Sequence, residues 1–492
     1  MCGVVGAYNV SNASDIIIKM MQGLHNRGDG GVGIALAKHD QDFYVKRSIY
    51  NVAELVREVI DDDLSGYSSA IGHLRYGTTG LRRDIKNVQP LGAKINSPPI
   101  ELYFGHNGES QFFSQDKQEL INQGRIFWTS SDSELILHYI YEDLAKGDDP
   151  IAAIKKGLKR YRGTYSVVIL VKDSSGVKMV AARDKNGNRP LKIGRLESGY
   201  ILASEDVAFE KVGADFERDI LNGELVVFSE SGIHSEIIYE ESELKHLCQC
   251  VYEVVYFSNS TSEMFGIPVA DFREELGRLS AKRFGHLLKR NDVITYIPNS
   301  GKFYARGFCN ALDRYLEEII ERDDSIRTFI QESQEIREDT IRRKFSFMRH
   351  RIKRILRHNP FVRWVFIDDS IVRGTVARKI IRAFKRIART ILSQLGYNHD
   401  PIVIWISAAP ALLGPCHKGI DMPGEGAELI AAKYLTSPLI PDTKKIAKEV
   451  EANEVYYSPL ADLYCALRRF GMNRENYCFG CFKNEDPIFG MW

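Results

Sequence analysis

Up to about residue 245, short β-branched and apolar runs alternate with Gly, Asn and Ser turns, a pattern that predicts strands at Ser69–Gly72, Glu101–Phe104, Thr164–Val171, Val177–Ala182, Tyr200–Ala203 and Glu224–Phe228. Two stretches with helical spacing, Asp15–Leu24 and Ser133–Leu144, interrupt them. Many strands with few helices predict a largely antiparallel, layered domain. After the acidic segment Ser235–Lys245 the pattern changes. Asp292–Ile297, Trp364–Ile367 and Pro401–Ile406 are nearly continuous apolar runs, as strands buried on both faces of a parallel sheet require, and helices near Phe272–Lys289 and Val376–Leu395 separate them. The reading is therefore two domains, 2–245 and 246–492, the second a doubly wound α/β unit, with no internal repeat and no low-complexity tract.

With 492 residues, 44% hydrophobic and 27% charged, the chain can form two or three separate cores. Lys+Arg 66 against Asp+Glu 65 gives a formal charge of +1, which argues against a general nucleic-acid or membrane-surface binder. No stretch of about 18 apolar residues occurs, and the start of the chain lacks the basic and apolar regions of a signal peptide, so a cytoplasmic protein is expected. Eight cysteines are too few for a disulfide scaffold in so long a chain, and catalytic or metal-binding thiols are the better expectation.

Met1 is followed at once by Cys2-Gly3-Val4-Val5-Gly6. Removal of Met1 would leave one residue holding both a thiol and a free α-amine; an α-amine titrates near about pH 7.7–8.0, so it can take the thiol proton without a histidine. Four motifs fall at loops or strand ends of the same domain: Asn26-Arg27-Gly28, Gly72-His73-Leu74-Arg75-Tyr76-Gly77-Thr78-Thr79, Gly105-His106-Asn107-Gly108 and Ser131-Asp132-Ser133-Glu134. Acyl transfer from an amino-acid amide needs a cation for the α-carboxylate, an anion for the α-amine and donors for an oxyanion, and Arg75, Asp132, and Asn107 with the Gly108 amide can supply them. Each motif alone has a plainer reading. Asn-Gly is a common turn, and Ser131–Glu134 also spells a helix N-cap with a capping box.

In the second domain, Trp364-Val365-Phe366-Ile367-Asp368-Asp369-Ser370-Ile371-Val372-Arg373-Gly374-Thr375 is an apolar strand that ends in two carboxylates and a small-residue loop opening a helix. Two adjacent acids suit vicinal hydroxyls or a hard Mg²⁺, and the N–H groups of Ser370–Thr375 at a helix start suit a phosphate. A bare Asp-Asp strand end also fits response-regulator and hydrolase-like folds. Ile297-Pro298-Asn299-Ser300-Gly301-Lys302 falls at another strand end. The segment Ile341–Arg363 carries nine Lys or Arg and no acid; it reads as a basic loop facing anionic substrate or the acidic stretch Glu317–Asp324, in preference to a nucleic-acid patch. Cys478-Phe479-Gly480-Cys481 alone is compatible with zinc, redox chemistry or chance. Cys309 and Cys465 sit in helical apolar patterns and are expected to be buried, with Cys248 undecided.

Taken together, the first-domain motifs resemble the N-terminal-nucleophile (Ntn) glutamine amidotransferases, whose fold is a four-layer α/β/β/α sandwich. The resemblance implies Cys2 as nucleophile, Asn107 and Gly108 as oxyanion hole, and Arg75 and Asp132 as the clamps on glutamine, with Arg27 among the substrate contacts. The Asp368–Thr375 string resembles the phosphoribosyl-pyrophosphate (PRPP) motif of type I phosphoribosyltransferases. That implies Asp368, Asp369, Ser370, Arg373, Gly374 and Thr375 at the PRPP, Mg²⁺ held by Ser300, Asp368 and Asp369, and a flexible cover opening at Arg327-Thr328-Phe329-Ile330. The whole order is similar to the iron–sulfur-containing amidophosphoribosyltransferase family, which places a [4Fe–4S] cluster on Cys250, Cys416, Cys478 and Cys481, four thiolates that chemically would also suit structural Zn²⁺. It further implies purine synthesis, glutamine and PRPP as substrates, ammonia crossing an internal apolar passage, purine-nucleotide inhibitors and a homo-oligomer. The chain departs from the family at Asn26, Asp29, Gly30, Gly77, Asn299 and Glu317–Asp324. Those departures keep two other readings open: a relative that passes glutamine-derived ammonia to another phosphosugar or nucleotide, and a non-catalytic nucleotide sensor.

Overall fold

Two antiparallel sheets stand face to face in the first half of the chain. This computed structural model describes residues 1–28, 30–38, 41–76, 84–244, 246–322, 345–416, 418–420 and 429–488. The first sheet has the order β11 (Asp215–Asp219), β9 (Lys192–Leu196), β10 (Gly199–Ala203), β1 (Gly3–Tyr8), β4 (Ser69–Leu74), β2 (Val32–Lys38), β3 (Gln41–Ser48). The second runs β13 (Gly232–Ile237), β12 (Glu224–Ser229), β8 (Gly176–Arg183), β7 (Thr164–Asp173), β6 (Pro99–Glu109), β5 (Leu91–Asn96).

The two-residue period of a strand explains the layering. In β7, Val168 and Leu170 point between the sheets with Val4, Ile71 and Val226, whereas Tyr165, Val167, Ile169 and Val171 point outward under helices. Those helices are α3 (Phe113–Asn122), α4 (Ser133–Ala145) and α5 (Pro150–Arg160); across the molecule, α1 (Ala13–Gly23), α2 (Val52–Glu58) and α6 (Val207–Glu210) cover the first sheet, with Ile17, Met20 and Met21 packed on Val5 and Ala7. The result is the four-layer α/β/β/α sandwich expected of the Ntn class. Gly6 lets the sheets close, since a Cβ there would lie 2.9 Å from both Met179 Sδ and Val168 Cγ1.

The second half forms a four-stranded parallel sheet in the order Val293–Tyr296, Arg363–Asp368, Ile402–Ser407, Glu454–Tyr457. Alternate residues again face opposite layers. Val365 and Ile367 pack with α7 (Val269–Phe284), α8 (Gly301–Ala311) and Leu460–Arg469, and Trp364 and Phe366 pack under Arg349–His358, Thr375–Gln394 and Thr443–Val450. Helices on both faces make this a doubly wound domain, as read from the sequence. The basic helix Arg349–His358 buries Ile352 and Leu356 and turns its charges to the acidic stretch: Arg354 pairs with Glu317 at 3.3 Å and Arg351 donates to the Glu318 carbonyl at 3.0 Å. Cys309 is buried, but Cys465 is exposed, because its position in Leu460–Arg469 falls off the face that carries Leu463, Ala466 and Leu467.

Candidate active sites and a cysteine cavity

Cys2 immediately precedes β1. The antiparallel register pairs Gly3 with Leu74, so one further step sets Cys2 across from Arg75 at the end of β4. Above this edge the second sheet approaches closely. A Cβ on Gly105 of β6 would lie 3.5 Å from Val4 Cγ1 and 3.6 Å from His73 Cβ, and the His73 ring meets the His106 carbonyl at 3.1 Å. Asn107 and Gly108 therefore sit over the start of β1. This end of β6 is held firmly: Gln89 accepts from His106 N at 2.6 Å, and Ser133 Oγ meets the His106 ring at 2.9 Å. Gly108 admits no side chain, because a Cβ would stand 1.9 Å from the Thr164 carbonyl.

Asn107 is fully buried, yet neither atom of its amide has a hydrogen-bond partner among the described residues. Such orphaned groups are costly in a folded interior and mark a place where a ligand completes the bonding. Asp132 begins α4 without capping it; its Oδ2 instead accepts from Ser110 N at 2.8 Å and Tyr161 Oη at 2.9 Å. Nor does Glu134 close a capping box, since its carboxylate takes Trp128 N and Thr129 N, each at 2.7 Å. The capping box is therefore absent, while Ser131 Oγ still accepts from Ser133 N at 3.4 Å in the manner of an N-cap. Burial and the neighbouring Asp132 push the Glu109 carboxyl up to about 8.

Arg27 is placed differently from the substrate contact expected of it. Its guanidinium is 0% exposed, held by Glu205 on one side and by Glu253 on the other at 2.9 Å. Asn26, which stands where the family usually has His, donates to Glu205 at 2.7 Å and to the Phe257 carbonyl at 2.8 Å. Glu205 also accepts from Asn259 N and Ser262 Oγ, so this loop is a buried brace between the two halves of the chain. Asp29 and Gly77–Thr79 lie outside the described residues.

At the end of Arg363–Asp368, Asp368 and Asp369 are buried side by side. Burial pushes both carboxyls up, and for Asp368 the Asp369 charge adds to it; hydrogen bonds from Ser300 and Ser370 offset part of the rise at Asp369. Ser370 Oγ donates to Asp369 at 2.6 Å and meets Tyr252 Oη at 3.0 Å. Ile297 N bonds the Ile367 carbonyl at 3.0 Å, which seats the 297–301 loop beside the two acids. Two helix starts thus converge here, α8 after Ser300 and Thr375–Gln394 after Gly374 (φ +72°), with Arg373 on the intervening loop. Arg327–Ile330 lie outside the described residues.

The remaining thiols form a third constellation. Residues 249–250 pair in parallel with 477–478, setting Cys250 beside Cys478, and one narrow cavity is lined by Cys250, Cys416, Cys478, Cys481, Arg189 and Lys418. Cys248 is buried next to Cys478; that contact chiefly holds the Cys478 thiol down, at about 6. Sequence reading missed Arg189, Lys418, Glu205 and Glu253. Arg183–Pro190 looks like a solvated polar turn, and only folding shows Arg183, Asp184, Asn188 and Arg189 to be buried.

Comparison with known proteins agrees with both halves. A glutamine amidotransferase domain model matches residues 84–211. An amidophosphoribosyltransferase of Archaeoglobus fulgidus is 31% identical over 99% of this chain and 98% of its own length, and that of Methanocaldococcus jannaschii 32% over the same shares. This chain belongs to the amidophosphoribosyltransferase family. The solved glutamine PRPP amidotransferase of B. subtilis, complexed with ADP and GMP, superposes with a TM-score of 0.81 at 30% identity over 99% of this chain and 98% of that one. A second solved structure, the allosteric regulatory enzyme of purine biosynthesis, gives 0.82 at 30% identity over 99% and 96%. Family membership therefore accounts for amidotransferase and phosphoribosyltransferase motifs in one chain.

Proposed function

We infer that this chain converts PRPP, glutamine and water to 5-phosphoribosylamine, glutamate and pyrophosphate, the first step of purine biosynthesis, its units dividing near 245/246. The observation that carries the chemistry is the unsatisfied amide of Asn107 seated over the start of β1. Met1 is fully buried and its amine, held low chiefly by burial, is sealed from water. Loss of Met1 would both free the Cys2 amine and open that space. The Cys2 amine then takes the thiol proton, and the sulfur attacks the glutamine amide carbon. Asn107 and the Gly108 amide hold the oxyanion; Arg75 and Asp132 hold the α-carboxylate and α-amine. Collapse expels ammonia and leaves a thioester, which water cleaves to glutamate.

In the second domain, ammonia attacks C1 of PRPP while the C1–O bond breaks and its electron pair leaves with pyrophosphate. Asp368 and Asp369 orient the ribose hydroxyls, and Ser370, Arg373, Gly374 and Thr375 hold phosphate at the helix start. Ser300, Asp368 and Asp369 make a hard oxygen donor set that fits Mg²⁺, which when bound supplies positive charge against the pyrophosphate. The pair of raised carboxyls supports this, since a cation relieves their repulsion.

For the cysteine cavity we propose a [4Fe–4S] cluster on Cys250, Cys416, Cys478 and Cys481, with structural Zn²⁺ as the alternative. Four thiols and two buried cations fit such a group in donor chemistry and in charge. Among the described residues no three side chains of ligating type already stand around one point. The group would tie the linker to the C-terminal segment and takes no part in the reaction steps. A purine nucleotide inhibitor and a homo-oligomer complete the proposal. The test is pyrophosphate release from PRPP with glutamine or with ammonia; release with neither donor would overturn the assignment.

A further inference from the structure

Arg189 lies in the loop after β8, in the first domain, whereas all four cysteines of the cavity come from beyond residue 248. Its guanidinium is 0% exposed and reaches three partners. Nε donates to the Lys418 carbonyl at 2.7 Å, joined there by Nη2; Nη1 donates to Met1 Sδ and stands 3.8 Å from Glu253; and the residue lines the same cavity as Cys250. Lys418 is two residues from Cys416, so a side chain that lines the thiol cavity also grips the segment that carries one of the four thiols. The Lys418 ammonium also lines the cavity, ion-paired to Asp486 at 2.7 Å with both side chains buried.

A buried cation needs a reason. Glu253 is shared with Arg27, which sits closer to it, at 2.9 Å. Four thiolates around a metal would supply the missing negative charge, and N–H donors to ligating sulfur orient the ligand and strengthen its hold on the metal. We propose that Arg189 is the positioning residue of the four-cysteine site: it fixes the Cys416 segment through the Lys418 carbonyl and stands in the wall of the thiol cavity, where it supplies the charge that a thiolate-bound metal requires. The first domain thereby closes a site whose ligands all belong to the second. This rests on the metal reading of the preceding section.

The test loads the full-length chain anaerobically with iron and sulfide, and separately with Zn²⁺, and follows metal per chain, visible charge-transfer absorption and the rate of loss to a chelator. Second-sphere partners of metal ligands typically change affinity by about 10–100-fold. Arg189→Gln should lose metal at least about tenfold faster than the parent, and Arg189→Lys, which keeps the charge but not the fork, should recover part of that loss. An R189Q variant that holds metal as long as the parent overturns the proposal while leaving the cysteine site standing. A parent chain that takes up neither iron–sulfide nor Zn²⁺ overturns the metal reading itself, and this inference with it. Should R189Q not fold, R189K carries the test alone: release at the parental rate overturns the role assigned to the fork.

Discussion

The two reactive centres are built from opposite materials. Around Asn107 most neighbours are hydrogen-bonded to one another, with Gln89, Ser133 and the His73 ring holding the end of β6, so an amide with neither atom satisfied stands out among the described residues. At the phosphosugar end, two like charges are buried side by side at a strand end, offset by serine hydroxyls and a pair of helix starts. The amide site is rigid and needs only its substrate. The phosphosugar site is electrostatically incomplete until a cation or hydroxyl-bearing ligand arrives. Sheet faces, which fix side chains on both sides, suit a task that demands placed donors; loops at the carboxyl ends of parallel strands suit a large anionic ligand that must be admitted and released.

The sharpest way to break that contrast is to remove the sulfur. Cys2→Ala should lower glutamine-dependent synthesis by at least about 10³-fold while ammonia-dependent synthesis stays near parental; equal loss of both, in paired assays, would show that the halves are not separable in this way. Replacing Arg27 tests whether it braces or binds. Arg27→Met strands two buried carboxylates and should cost about 3–5 kcal/mol of stability, read by denaturant unfolding of the first domain, whereas a rise in KM for glutamine with unchanged stability would return it to the substrate. Asn107→Ala should lower the glutaminase kcat by about 10²–10³-fold with little change in KM, because the oxyanion forms only in the transition state.

On the other side, Asp368→Asn should weaken PRPP binding by about 10–100-fold, as loss of a charged hydrogen-bond acceptor does, and should raise the thermal midpoint of the ligand-free protein by relieving a buried repulsion; unchanged affinity in calorimetry would remove the ribose assignment. The smallest effect is at Glu109. Its carboxyl ordinarily titrates near 4.5 and is pushed up to about 8 in the fold, so the folded state holds the extra proton. Its contribution is therefore fully present below about pH 4.5 and is lost as pH rises through about 8. Glu109→Gln should match the parent near pH 4.5 and melt about 2–4 °C higher at pH 9, the shift that roughly 1 kcal/mol gives in a domain of this size; a gap that does not widen with pH would place the carboxyl outside the apolar pocket.

The pattern of strands, the two fold classes and the chemistry-bearing motifs could be read from the residues alone, because a two-residue period and a strand ending in Asp368-Asp369 are local facts. The four thiols that line one cavity were grouped only by the family resemblance, since Cys-x-x-Cys alone left their chemistry open. The strand β1 itself was not legible: two glycines in Gly3–Tyr8 dilute its pattern, Gly6 where the second sheet approaches and Gly3 where Leu74, Arg27 and Leu24 close in from the other face. Only the tertiary structure decided that Ser131–Glu134 is not a capping box, that Arg27 is a brace, that Cys465 faces outward, and that Arg189 joins one domain to the thiols of the other. Glu134 and Cys465 are settled within a few residues, by Trp128 N and Thr129 N and by a helix face, but Arg27 and Arg189 depend on which groups are buried together across more than a hundred residues of chain, and burial, unlike periodicity, leaves no mark on the neighbouring letters.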